Sequence, residues 1–208
     1  LTFELMLGFE STIGSNEKRE LIKKLYTSRY IRAKEENRHW GGITAYGYEY
    51  KKEIVDNKIQ ASWSIVPEEA FWVKVIFKLA SGIEITELNS YQQKVLESYL
   101  ERSSQKGLAL RKIASFLNEI GITRKSYYER LGVKRYISID GKWYADHIAH
   151  IIKNPRYYGL VKFDTKLYGL NPFTVQGLAI IDKELFDLAN RNLKIRKSFS
   201  SRFFRFNY

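Results

Sequence analysis

The sequence predicts an α+β chain that is predominantly helical: one long N-terminal helix, then a region of shorter helices carrying short antiparallel strands. Three observations predict it. A stretch with helical character runs from Leu1 to Arg38, apolar to Ile13 and charged from Asn16 onward. Two later segments place apolar residues at helical spacing, Leu110, Ile113, Ala114 and Leu117 in one and Tyr144, Ile148, Ile151 and Ile152 in the other. Between and after them lie runs rich in aromatic and β-branched residues, the mark of short strands.

Taken in order, residues 1–13 are apolar nearly all round, interrupted by Glu4 and Glu10. Such a segment is expected to bury more than one side, against an upstream domain, a second copy or the rest of this domain. The helix then continues with eight basic and four acidic residues from Asn16 to Arg38; Arg29, Arg32, Lys34 and Arg38 crowd its last turns, where cations suit the helix dipole. Trp40-Gly41-Gly42 breaks it, and the glycines permit close approach of backbone to a neighbour. Tyr46 to Lys58 and Ile59 to Ile65 read as two strands joined near Asp56-Asn57. Pro67-Glu68-Glu69 starts a helix expected over 68–80, with Phe71, Trp72, Val75, Ile76 and Leu79 as its core stripe. A further helix is expected from Tyr91 to Arg102. The first amphipathic stripe follows and stops at Gly121; after a basic connector, Trp143 to Lys153 forms a second short helix ended by Asn154-Pro155. Tyr157 to Phe163 and Phe173 to Leu178 read as a strand pair, and a last helix begins at Ile180 and turns basic after Asp187.

Two short helices, the second with Asp146, Ala149, His150 and Lys153 opposite its apolar stripe, are what a helix-turn-helix variant with a long connector would show. They are also what two packed core helices would show, and periodicity alone does not choose. Charge favours the first. Residues 102–166 hold 14 Lys+Arg against 5 Asp+Glu, so +9 of the chain's net +12 sits there, whereas residues 63–101 sum to −3. A swing of that size between neighbouring segments points to one side that faces a polyanion, with nucleic acid the favoured partner.

Other classes are disfavoured. No cysteine is present, which removes disulfides and thiolate zinc sites and makes an intracellular, cytoplasmic location the easier reading. No apolar run reaches the ~18 residues of a membrane span. His147 and His150 share a helical turn without a third ligand at metal-site spacing, and no phosphate-cradling glycine loop occurs, so no metal or cofactor is expected. Leu1 reads as a boundary inside a longer protein, because it opens in the middle of an apolar pattern without an initiator Met.

With these residues in view, the chain resembles the large serine recombinases: phage integrases, cassette recombinases and related transposases. The resemblance rests on pieces in family order, namely Arg19-Glu-Leu-Ile22, Trp40-Gly-Gly with Tyr46-Gly-Tyr48, Val66-Pro-Glu-Glu-Ala70 with Ile76-Phe77, and Leu110, Ile113-Ala114, Leu117-Asn118 and Gly121-Ile122. It continues through Trp143, Ile148, Ile152 and Asn154-Pro155 with Tyr158-Gly159, and ends on Ile180-Ile-Asp182 with Leu185-Phe186. It implies that residues 1–38 are the long helix leaving an upstream catalytic domain whose serine attacks DNA phosphate. Residues 39–48 would be a linker, 49–197 a helix-turn-helix-like domain binding one half of an attachment site in double-stranded DNA, and 198–208 a basic, aromatic tail. A zinc ribbon, when the family carries one, would follow Tyr208, and self-association would run through the N-terminal helix. Two departures from the family pattern stand out: Lys18 precedes Arg19 where the family usually has Glu, and residues 83–105 extend beyond the compact domain.

On this reading phosphate contacts fall to Arg29, Arg32, Lys34, Arg38, Arg111, Arg124, Lys125 and Arg156. His39, Trp40, Gly41 and Gly42 of the linker, with Lys112, Lys134, Arg135 and Lys142, complete the DNA-facing set. Base reading falls mainly to the helix from Trp143 to Lys153, through Asp146, His150 and Lys153, and Tyr144 and His147 of the same helix belong to the wider DNA-binding set. A helix-turn-helix transcriptional regulator without recombination is the alternative from another class, and an RNA-binding module stacking bases on its Tyr and Phe residues is a third.

Overall fold

The computed structural model describes residues 2–35, 45–55, 58–101, 107–124, 141–163 and 172–203, with side chains at 16–28, 30, 31, 33, 34, 45–49, 51, 62–101, 107–124, 141–163 and 172–196. Among the described residues the chain is mostly helical, with six α-helices and two small antiparallel two-stranded sheets, as an α+β reading requires. In order these are α1 (Thr2–Glu35), β1 (Tyr48–Val55), β2 (Lys58–Ile65), α2 (Pro67–Ser81), α3 (Ser90–Leu100), α4 (Leu110–Glu119), α5 (Ala145–Lys153), a 3-10 turn (Pro155–Tyr158), β3 (Leu160–Phe163), β4 (Phe173–Gln176) and α6 (Lys183–Phe203). β1 pairs with β2 and β3 with β4.

The chain divides into two units. The first comprises residues 1–42, 52–62 and 161–176. Its axis is α1, which packs on β4. In β4 burial alternates along the strand, Phe173 and Val175 half-buried and Thr174 and Gln176 exposed, the period-two pattern of a ribbon covered on one face. Phe173 meets the Tyr30 ring edge-on at 4.8 Å and stacks on Phe163 at 4.6 Å. Ala33 is buried, while Leu21, Ile22 and Leu25 on the preceding turns are exposed.

The second unit, residues 43–51, 63–160 and 177–208, holds the main core. Its centre is α2. Pro67 stands in the first turn, where its missing N–H costs nothing, beside Glu68 and Glu69, which favour the positive end of the helix. Val73, Val75, Ile76, Phe77, Leu79 and Ala80 are all buried, so α2 is covered on most of its circumference rather than along one stripe. α4, α5 and α6 pack around it. At its C-terminus Asn192 of α6 donates to the carbonyls of Ala80 and Ser81, and the Arg196 guanidinium donates to the Leu108 carbonyl. Gly107 threads this junction at φ 79, where a Cβ would lie 2.5 Å from the Ala80 oxygen; no other residue fits there.

Helix α3 begins with a reciprocal cap: Gln92 N–H donates to Asn89 Oδ1 at 2.9 Å, and Asn89 N–H donates to Gln92 Oε1 at 3.1 Å. α4 buries Ile113, Ala114, Phe116 and Leu117, so the expected stripe gains Phe116 while Leu110 is only half-buried, and the chain turns out at Gly121 with φ 75.

Several boundaries differ from the sequence expectation by a few residues, β1 starting at Tyr48, α3 ending at Leu100 and β4 at Gln176 among them, and three have a clear local cause. Tyr157 and Tyr158 do not open a strand but lie in the 3-10 turn; Asn154 Oδ1 accepts from Arg156 N–H at 3.1 Å, and Tyr157 is buried with its hydroxyl donating to the Tyr46 carbonyl. The last helix starts at Lys183, not Ile180, because Asp182 caps it through Leu185 N–H at 2.7 Å and Ile180 and Ile181 are spent as buried anchors. Helix α5 starts at Ala145, two residues after Trp143.

Tyr46 and Tyr48 are core-packed. The Tyr48 hydroxyl lies 3.0 Å from the Arg156 carbonyl oxygen and 2.9 Å from that of Leu178, and burial pushes its pKa up to about 12 against the opposing pull of Arg156. Glu69 Oε2 accepts from Gly47 N–H at 2.6 Å, which ties this entry segment to α2.

Candidate nucleic-acid interface

The site is built on α5, nine residues spanning roughly 13 Å at 1.5 Å per residue. Ile148, Ile151 and Ile152 are buried. Asp146, His150 and Lys153 fall within about 60° of one another on a 100° per residue wheel and are exposed, with half-buried Ala149 at their edge. Asp146 sits in the first turn and Lys153 in the last, each at the helix end that favours its charge. The face therefore presents hydrogen-bonding groups of both signs around a small residue, on a helix whose other side is fixed in the core.

Tyr144 departs from its expected place. Counted on the apolar stripe it would be buried, yet it is 52% exposed. The cause is backbone geometry: Tyr144 precedes the helix with φ −126 and ψ 159, so the 100° step does not reach back to it. Its ring meets the His147 ring edge-on at 5.5 Å, and its N–H donates to His147 Nδ1 at 3.3 Å. That bond places the proton of neutral His147 on Nε2. The His147 pKa is held below its usual value, first by burial and then by the Arg124 and His150 charges, against Asp146.

The approach to α5 is fixed by Trp143. Its indole is buried, lies edge-on to Tyr46 at 4.9 Å, and donates through Nε1 to the Ile122 carbonyl at 3.0 Å. The Asn118 side chain brackets its backbone: Trp143 N–H donates to Oδ1 at 2.8 Å, and Nδ2 donates to the Trp143 carbonyl at 2.9 Å. Arg124 N–H donates to the Gly141 carbonyl at 2.9 Å. Among the described residues the strands of chain flanking the basic connector are thus joined at its base.

The basic residues stand around this frame in different states. Arg111 is exposed on α4, Lys142 is exposed beside Trp143, and half-buried Lys112 brings Nζ to 3.5 Å from the Tyr99 carbonyl. Arg124 is half-buried, and its Nε is buried without a hydrogen-bond partner among the described residues. Arg156 is stacked in place, its guanidinium 4.0 Å over the Trp63 ring and 5.9 Å from that of Tyr48, with burial lowering its pKa. In the first unit Lys34 is exposed and reaches the Tyr30 hydroxyl at 3.3 Å. The side chains of Arg29 and Arg32, and Arg38, His39, Trp40, Gly41, Gly42, Lys125, Lys134 and Arg135 altogether, lie outside the described residues.

Sequence reasoning did not single out Asn118 for this site, nor Asn190, whose Nδ2 donates to the Ile152 carbonyl at 2.7 Å and to Phe186 at 2.9 Å. The available signal was a polar amide at a flank position of an otherwise apolar stripe: Asn118 follows Ala114 by one turn. Among the described residues no group of three or more His, Cys, Asp or Glu side chains stands where a metal ion could be held, and no helix is long and apolar enough to cross a membrane.

No curated protein and no solved structure matches the chain. The family model Recombinase matches residues 67–196, from the first turn of α2 to the Arg196 clamp of α6. That match spans more than half of the chain and contains α5 with Asn118, Trp143 and Asn190, in agreement with the resemblance carried by the motifs: the chain belongs to the Recombinase family.

Proposed function

We propose that this chain is the DNA-binding portion of a site-specific serine recombinase, recognising one half of an attachment site in double-stranded DNA for integration or excision. The observation that carries the reading is the α5 face: Asp146, His150 and Lys153 exposed around Ala149, on a helix anchored by Ile148, Ile151 and Ile152, within the segment that holds +9 of the net charge. Cations supply attraction to phosphate whatever the sequence, and a rigid face of donors and acceptors supplies base discrimination in a major groove. In this division α4 and α5 act as a helix-turn-helix pair with a long connector. Arg111, Arg124, Lys142 and Arg156 contact phosphate with the basic residues of the connector, and Arg29, Arg32, Lys34 and Arg38 do so from the end of the long helix.

The strand chemistry belongs to a catalytic domain upstream of Leu1, which cleaves DNA through a phosphoserine link; α1 is the helix that leaves it. Self-association of the full-length protein runs along α1, whose exposed Leu21, Ile22 and Leu25 support that role.

The test is a duplex titration followed by fluorescence anisotropy. With ~6 phosphates neutralised, log K falls against log salt with a slope of about −5. Absence of binding at low salt, or binding indifferent to salt, refutes the reading.

A further inference from the structure

The proposed reading helix is too short to hold its own geometry. An isolated helix shorter than ~12 residues is marginal in water, and α5 has nine. Its three isoleucines fix the buried side, but apolar contacts are non-directional and leave a helix free to slide or rotate by small amounts. Directional bonds remove that freedom, and both ends of α5 have them. At the entry, Asn118 of α4 makes two bonds to the backbone of Trp143, one to its N–H and one to its carbonyl. At the exit, Asn190 of α6 donates one amide hydrogen to the Ile152 carbonyl and the other to Phe186. The Ile152 carbonyl belongs to the last turn of α5, where carbonyls lack an intrahelical partner.

Resting on the DNA-reading role proposed for α5, we infer that Asn118 and Asn190 are positioning residues of that helix: two amide clips, one from each flanking helix, that set its register against the base edges. Neither residue is assigned to touch DNA. Asparagine suits both places because one short, uncharged side chain offers a donor and an acceptor together. Aspartate, of the same shape, would set an acceptor against the Trp143 or Ile152 carbonyl.

The inference predicts a split between two affinities. A base contact needs its side chain within a few tenths of an ångström of the productive position, whereas phosphate contacts by long Lys and Arg side chains tolerate small shifts. A slightly displaced α5 therefore loses discrimination and keeps general DNA affinity.

The experiment uses the whole chain. The wild type selects a half-site from a pool of randomised duplexes; Asn118→Asp, Asn190→Asp and the milder Asn118→Ser and Asn190→Ser are then titrated with that half-site and a scrambled duplex at fixed salt, below each variant's melting transition. His150→Ala is measured beside them. The expected result is that each asparagine variant lowers the ratio of selected to scrambled affinity by about tenfold or more, the scale of a lost base contact, with scrambled affinity unchanged. Unchanged ratios in all four variants while His150→Ala lowers it overturn the positioning role alone. Unchanged ratios in all five, or failure of the wild type to select any site, overturn the reading role of α5 and this inference together. A parallel fall of both affinities, tracking the loss of melting temperature, also overturns it, because that is the mark of general destabilisation.

Discussion

Replacing Trp143 by Phe tests the frame beneath the site. The indole is buried and its Nε1–H donates to the Ile122 carbonyl at 3.0 Å. Phe keeps a ring beside Tyr46 but leaves that carbonyl without its donor, a loss of about 1–2 kcal/mol for a buried acceptor. The missing pyrrole half of the indole removes packed atoms as well, for roughly another 1–2 kcal/mol of transfer and cavity terms. The Asn118 bonds go to the Trp143 backbone and survive the substitution. The sum is a destabilisation of about 2–4 kcal/mol, equivalent to a fall in Tm of roughly 4–16 °C for a domain of this size. Urea unfolding followed by far-UV circular dichroism measures it: the midpoint moves to lower urea at constant slope. A change under about 0.5 kcal/mol, the range of an ordinary surface substitution, would refute the argument that Trp143 anchors the entry to α5.

Gly107→Ala is expected to cost about 2 kcal/mol or more in the same assay, since it adds left-handed strain to a Cβ set 2.5 Å from the Ala80 oxygen. Because the folded His147 pKa is depressed below 6.5, the unfolded chain takes up the proton first; stability present above pH ~6.5 is lost as pH falls below it, and His147→Asn is expected to flatten that loss in melts between pH 7 and 5. Lys153→Ala is expected to weaken binding to the selected half-site by ~1–3 kcal/mol more than to a scrambled duplex, whereas Arg111→Ala weakens both equally; equal effects of Lys153→Ala would move base reading off α5. Removal of residues 1–15 is expected to weaken self-association in sedimentation, and Leu21→Asp with Leu25→Asp to weaken it further; the same oligomeric state in both variants as in the wild type would exclude α1 as an association surface.

Much of the fold was legible where the signal is local. Pro67-Glu68-Glu69 announces a helix start through a missing donor and two charges, and the 110–117 stripe followed by Gly121 announces both a face and an end. The errors arose where a local rule was carried one step past its range. Tyr157 and Tyr158 have strand propensity, but Asn154-Pro155 commits the backbone to a tight turn first, and the Tyr157 hydroxyl finds its acceptor 111 residues away, at Tyr46. Tyr144 lies at helical spacing from Ile148, but its own backbone is extended, so the wheel does not place it. What sequence could not reveal were pairings at long separation. Asn118 and Trp143, Asn190 and Ile152, and Tyr48 with the Arg156 and Leu178 carbonyls are bonds that only a folded chain brings together. The exposed face of α5 was legible for the opposite reason: once Ile148, Ile151 and Ile152 are buried, helical geometry alone sends Asp146, His150 and Lys153 outward.

The placement of charge follows from what each kind of contact needs. On α5 one Asp and one Lys oppose each other, so the helix adds little net attraction for a polyanion. On the proposed DNA-binding reading, the attraction would come instead from Arg111, Lys142 and the basic residues 125–135, whose long side chains can adapt to phosphate positions. Were the cations on α5 itself, tight binding to any duplex would mask the smaller differences between base sequences, since phosphate contacts carry no sequence information. A nearly neutral helix, held at both ends by neutral amides, would keep those differences visible if α5 reads bases as proposed. Stacking of Arg156 on Trp63 fits the same division: its guanidinium is held 4.0 Å over the ring, so a phosphate contact by it, as proposed, would cost less side-chain freedom.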